Sequence, residues 1–125
     1  MKTYIIVEKD VETGKSMRTV IDKFDDLRFI GTANDQSEAL HLILRTCPDI
    51  VFLGLDDVID NLSDFLLDIT KHSENDPVFI ALSASKELAF EAYQYGFFDY
   101  LLKPLVELDL ERCVLKYKKA LKDLR

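Results

Sequence analysis

Three short runs of nearly unbroken aliphatic and aromatic residues constrain this chain most: Tyr4-Ile5-Ile6-Val7, Asp49-Ile50-Val51-Phe52-Leu53 and Val78-Phe79-Ile80-Ala81-Leu82. Each is too short for a buried helix and has no polar alternation, so each reads as a strand covered on both faces. Between them, apolar residues recur at helical spacing. Met17, Val20, Ile21 and Phe24 do so within 11–24, and Leu62, Phe65, Leu66 and Ile69 fall at i, i+3, i+4 and i+7. Leu27 to Ala33 reads as a second strand, with Arg28 and Thr32 keeping it near an edge. Asp35 or Ser37 is positioned to cap a helix with Leu40, Ile43 and Leu44 on its buried face, which Pro48 stops. Lys86 to Tyr95 is a predicted helix ended by Gly96, and Phe97 to Leu102 a fifth strand. A last helix over Leu105 to Leu124 buries Leu110, Cys113, Val114, Tyr117 and Leu121. The resulting order is (βα)5, an α/β class, flavodoxin-like open parallel sheet with helices on both faces.

The 125 residues are expected to form one domain over 1–125, without linker or internal repeat. A formal net charge of −7 argues against direct nucleic-acid binding, because a phosphate backbone wants a basic face. No apolar run approaches the roughly 18 residues of a membrane span, and the first residues are too short for a signal peptide, so a cytoplasmic location is expected. Cys47 and Cys113 make neither a disulfide framework nor a metal-ligand spacing. Gly14-Lys15-Ser16 ends like a phosphate-binding loop but lacks the earlier glycine, and His41 and His72 read as surface residues.

In open α/β sheets chemistry sits at the carboxyl ends of the strands. Those ends carry Glu8-Lys9-Asp10, then Gly54-Leu55-Asp56-Asp57, then Ser83-Ala84, then Lys103-Pro104. Acids, a hydroxyl and a lysine on one rim suit a metal or a phosphoryl group.

Over nearly its whole length the chain resembles the receiver domains of two-component response regulators. The segments that carry the resemblance are Pro48-Asp49-Ile50-Val51-Phe52-Leu53, Ser83-Ala84 and Gly96-Phe97-Phe98-Asp99-Tyr100-Leu101-Leu102-Lys103-Pro104. Such domains accept a phosphoryl group from a histidine kinase on an aspartate ending strand three. Two acids after strand one help hold magnesium. A hydroxyl after strand four and a lysine after strand five contact the phosphoryl oxygens, and an aromatic on strand five changes rotamer with the hydroxyl. The resemblance assigns the hydroxyl to Ser83, the lysine to Lys103, the aromatic to Tyr100 and a cis peptide to Lys103-Pro104.

The acceptor position falls on Gly54, where no acyl phosphate can form, and the acid pair falls on Glu8 and Lys9. The four positions Glu8, Lys9, Gly54 and Lys103 sum to one positive charge, so magnesium binding is expected to be weak or lost and no cofactor is implied. An inward Lys9 would take the metal's place and pair with Glu8 or Asp56. The degenerate site thus comprises Glu8, Lys9, Asp10, Gly54, Ser83 and Lys103. Asp56 and Asp57 read as loop or helix-capping acids. Asp56 is also the alternative acceptor, since it shares the side of the strand that position 54 faces.

The expected function is signalling by protein–protein interaction, without catalysis. The alternatives are phosphorylation on Asp56, or an anion or small-molecule module using Lys9, Ser83 and Lys103. In the family, partners dock on the face of helix four, strand five and helix five. Here that face includes Glu91, Tyr95, Asp99, Tyr100, Arg112 and Lys116, and it is the candidate surface for a signalling partner, an output domain or a second copy.

Overall fold

The computed structural model describes residues 1–56 and 58–124. Five strands and five helices alternate: β1 (Lys2–Val7), α1 (Val11–Ile21), β2 (Leu27–Ala33), α2 (Gln36–Thr46), β3 (Ile50–Gly54), α3 (Leu62–His72), β4 (Val78–Ser83), α4 (Ala89–Gln94), β5 (Asp99–Leu102) and α5 (Glu107–Asp123). The strands form one parallel sheet in the order β2-β1-β3-β4-β5, as in doubly wound flavodoxin-like folds.

The two-residue period of the strands divides the core in two. Ile5, Val7, Val51, Leu53 and Ala81 face α2, α3 and α4, where they meet Ala39, Leu42, Ile43, Phe65, Ile69 and Ala92. Tyr4, Ile6, Ile50, Phe52, Ile80 and Leu82 face α1 and α5, against Met17, Ile21, Leu110, Cys113, Val114 and Tyr117. β1, β3 and β4 are therefore apolar on both sides, which explains their unbroken runs.

Several boundaries differ from the sequence expectation. α1 stops at Ile21, and Phe24 follows in a turn that still packs on the core. In α2 the buried residues are Ala39, Leu42 and Ile43, while Leu40 and Leu44 are half-buried, a rotation of the expected face. Asp35, not Ser37, is its N-cap and accepts the Glu38 amide proton at 2.8 Å. β3 begins at Ile50 and runs on to Gly54, and β5 is confined to Asp99–Leu102.

α4 is the largest departure, with six residues where ten were expected. The stretch before it gives its amide protons to side chains instead: Ser85 N–H donates to Ser83 Oγ at 3.1 Å and Glu87 N–H to Ser85 Oγ at 3.1 Å. Such local bonds compete with helix formation. Its C-terminus follows the expectation. Gly96, at φ +87°, lets the Phe97 amide reach the Ala92 carbonyl at 3.1 Å and the Gly96 amide reach that of Tyr93 at 3.0 Å.

Candidate functional site at the carboxyl rim of the sheet

β1 ends one residue before Glu8, whose side chain turns inward and is almost fully buried. Its Oε1 pairs with the Lys103 ammonium, and Oε2 accepts the Asp10 amide proton at 2.9 Å. Lys103 is carried to this point by β5, its amide donating to the Ser83 carbonyl at 2.8 Å, and the Lys103–Pro104 bond is cis, as the resemblance implies. Lys9 is exposed where an inward placement is expected, and a cation paired with Glu8 Oε1 is Lys103.

Gly54 closes β3 directly against the end of β1. A Cβ built there stands 2.9 Å from the Val7 carbonyl oxygen and 3.3 Å from Glu8 Oε1. The Glu8 carboxylate therefore lies beside the direction in which a side chain at 54 would grow.

Beyond Gly54 the ladder continues for one more bond, from the Leu55 amide to the Leu82 carbonyl at 3.0 Å, and buried Leu55 and Val58 anchor the turn. Asp56 thereby arrives next to the end of β4. Its Oδ1 accepts the hydroxyl proton of fully buried Ser83 at 2.7 Å, and its Oδ2 accepts the Ala84 amide proton at 2.8 Å. Asp56 is thus not a helix cap; Asn61 caps α3, accepting from the Asp64 amide at 3.0 Å. The expectation for Asp57 falls outside the described residues.

Asp10 does serve as a cap. It accepts from Thr13 Oγ1 at 2.7 Å and from the Glu12 amide at 3.2 Å at the start of α1, and the Thr13 bond leads in holding its carboxyl below the usual value. It lies on the rim without touching Ser83 or Lys103 through any of these bonds. Tyr100 is half-buried, and its hydroxyl donates to the Ser85 carbonyl.

A second surface lies at the edge of the sheet. Asp99, Tyr100, Arg112 and Lys116 line an open groove of about 330 Å³ between β5 and α5. Asp99 faces Lys116 at 3.8 Å, and the Lys116 ammonium sits 4.8 Å from the centre of the Phe98 ring. Glu91 and Tyr95 lie on and just after α4, at exposed positions outside the lining of this groove.

Among the described residues, the donor set at these positions does not fit the magnesium ion that the receiver resemblance implies. Glu8 is committed to Lys103 and to the Asp10 amide, Gly54 offers no oxygen from a side chain, and Lys9 brings a cation. A divalent ion here would have to displace an ammonium from a buried carboxylate.

No protein-family profile matches the chain. Among curated proteins, the sensory transduction protein LytT of Bacillus cereus is 27% identical over 119 residues, covering 95% of this chain and 48% of LytT. The transcriptional regulatory protein BtsR of Salmonella typhi is 28% identical over 108 residues, covering 86% of this chain and 44% of BtsR. The chain thus spans about half the length of the curated relatives it matches. Among solved structures, the response regulatory domain of mrkE from Klebsiella pneumoniae superposes with a TM-score of 0.83 at 23% identity, over 97% of this chain and 98% of that one. Sheet order and these likenesses agree: the fold is that of a flavodoxin-like receiver, shared with solved response-regulator domains.

Proposed function

We propose that this chain is a response-regulator receiver that signals by protein–protein contact and takes up no phosphoryl group at the end of β3. One observation carries the reading: where the resemblance expects an acceptor carboxylate facing the lysine, Gly54 stands and buried Glu8 holds Lys103 instead. A carboxylate already paired and enclosed is a poor nucleophile, and glycine is none. Asp56, two residues on, has both oxygens engaged by Ser83 and Ala84.

The surface we assign to partners is the α4–β5–α5 face, with Glu91, Tyr95, Asp99, Tyr100, Arg112 and Lys116. Phe90 is 75% exposed and Tyr93 50% exposed beside it, which gives that face apolar area to bury. A signalling protein, an output domain in a longer parent or a second copy would each dock there. The domain has no catalytic role in this reading.

The test is acetyl phosphate with magnesium on the full chain, followed by intact mass, and beryllofluoride followed by fluorine NMR. The expected result is no adduct. A magnesium-dependent adduct that disappears in Asp56→Ala would overturn the reading in favour of a displaced acceptor.

A further inference from the structure

We propose that Asp56 is a tethered anion that latches the β4–α4 loop, so that the loop and Tyr100 are set by the chain itself and not by an added ligand. This rests on the reading that residue 54 is chemically silent, and it assigns to that same rim the means of its regulation.

Two donors at the end of β4, the Ser83 hydroxyl and the Ala84 amide, converge on the two oxygens of one carboxylate at 2.7 and 2.8 Å. Charge-assisted bonds of this length are the strong kind. The hydroxyl has a single proton, and here it goes to Asp56, which leaves a lone pair on Oγ for the Ser85 amide at 3.1 Å. The Ser85 carbonyl then receives the Tyr100 hydroxyl. Carboxylate, hydroxyl, amide, carbonyl and phenol form one directional series from the end of β3 to β5. Each bond orients the group that makes the next.

Two features show that the series is built into the fold. The carboxylate is delivered by backbone, since the Leu55–Leu82 bond prolongs the β3–β4 ladder to the residue before Asp56. The loop also has little other support at its start: the Ala84 amide gives its proton to Asp56 and the Ser85 amide gives its own to Ser83. An external oxyanion seeking these donors would have to displace a side chain that is already covalently in place, whose effective concentration far exceeds that of free phosphate. Tyr100, which opens onto the groove beside α5, is thereby connected to a residue of the rim that no partner has to touch.

Amide exchange by NMR on the full chain tests this. In Asp56→Ala the Ala84 and Ser85 amides should exchange about tenfold faster relative to those of Ile80 and Leu82, and the Tyr100 ring resonances should shift. Ser83→Ala should free Ser85 by a similar factor while Tyr100 shifts in the same direction. Asp56→Asn, which keeps the shape and one oxygen, should give a smaller release of the same amides, and it serves as the measurement if the alanine variant does not fold. Ala84 and Ser85 amides that exchange as in the wild type in the folded variant would overturn the latch. That outcome, with no beryllofluoride adduct on the wild type, removes the latch alone. An adduct on the wild type removes the functional reading instead.

Discussion

A carbon added to Gly54 would stand 2.9 Å from the Val7 carbonyl oxygen, a backbone atom held in the sheet by its neighbours. Real Cβ atoms are not found so close, so a side chain here must push β1 and β3 apart. We expect Gly54→Ala to destabilise the fold by about 1–3 kcal/mol, the usual cost of overpacking, as read from urea unfolding. A variant as stable as the wild type would show that the strand ends yield freely. The sequence suggests that aspartates at 54 and 9 would restore magnesium binding; the geometry adds that the first substitution must also move Glu8 aside. That glycine stands at 54 is read from the sequence directly, while its place at the acceptor position is what the spacing after Asp49 and the receiver resemblance imply. The Glu8–Lys103 pair was not legible in the sequence, because it joins residues 95 positions apart, and both Lys9 and Lys103 offered the charge. For Asp56 the sequence did carry a signal, its two-residue offset from 54, but its bond to Ser83 spans 27 positions and depends on the extra ladder bond after Gly54.

At the scale of single elements, α2 closes on Cys47 in the left-handed region, at φ 47° and ψ 59°, with its amide donating to Ile43 at 2.9 Å. Side chains with a Cβ are strained in that region, and glycine is not. Cys47→Gly should therefore raise the unfolding free energy by about 0.5–1 kcal/mol, and a lower midpoint in thermal melts would contradict it. The same comparison explains which element ends the sequence could place. Gly96 announces the end of α4 because a positive φ favours one residue type. The start of α4 was misplaced by three residues, because the Ser83, Ser85 and Asp56 side chains take amides that a helix start would otherwise leave free. Helical periodicity carries no sign of such competition. It also placed α2 correctly while misjudging its rotation by about one position.

Over the whole molecule, the two-layer division of the core also governs a titration. Tyr4 lies in the layer against α1 and α5, packed edge-on to Phe52 with ring centres 5.8 Å apart. Burial, and next the Asp22 carboxylate, raise its phenol from 10.0 to about 12. A group raised in the fold holds its proton over a range where the unfolded chain has lost it. Its contribution is intact below pH 10, declines as the pH rises from there, and is gone by about 12. We expect the wild type to lose about 2–3 kcal/mol more than Tyr4→Phe between pH 9 and pH 12, measured by urea unfolding of both chains. Parallel curves would place Tyr4's ionisation near its ordinary value. Topology itself was readable throughout, since five βα units with short connections leave few ways to build a parallel sheet.

The seat of the Val7 carbonyl against Gly54 also bears on what a single exchange can achieve. An aspartate introduced at 54 alone would press its Cβ on a backbone oxygen and bring its carboxylate towards Glu8, which already holds Lys103. Such a chain would have to move two strands before its new oxygen could meet a phosphoryl donor.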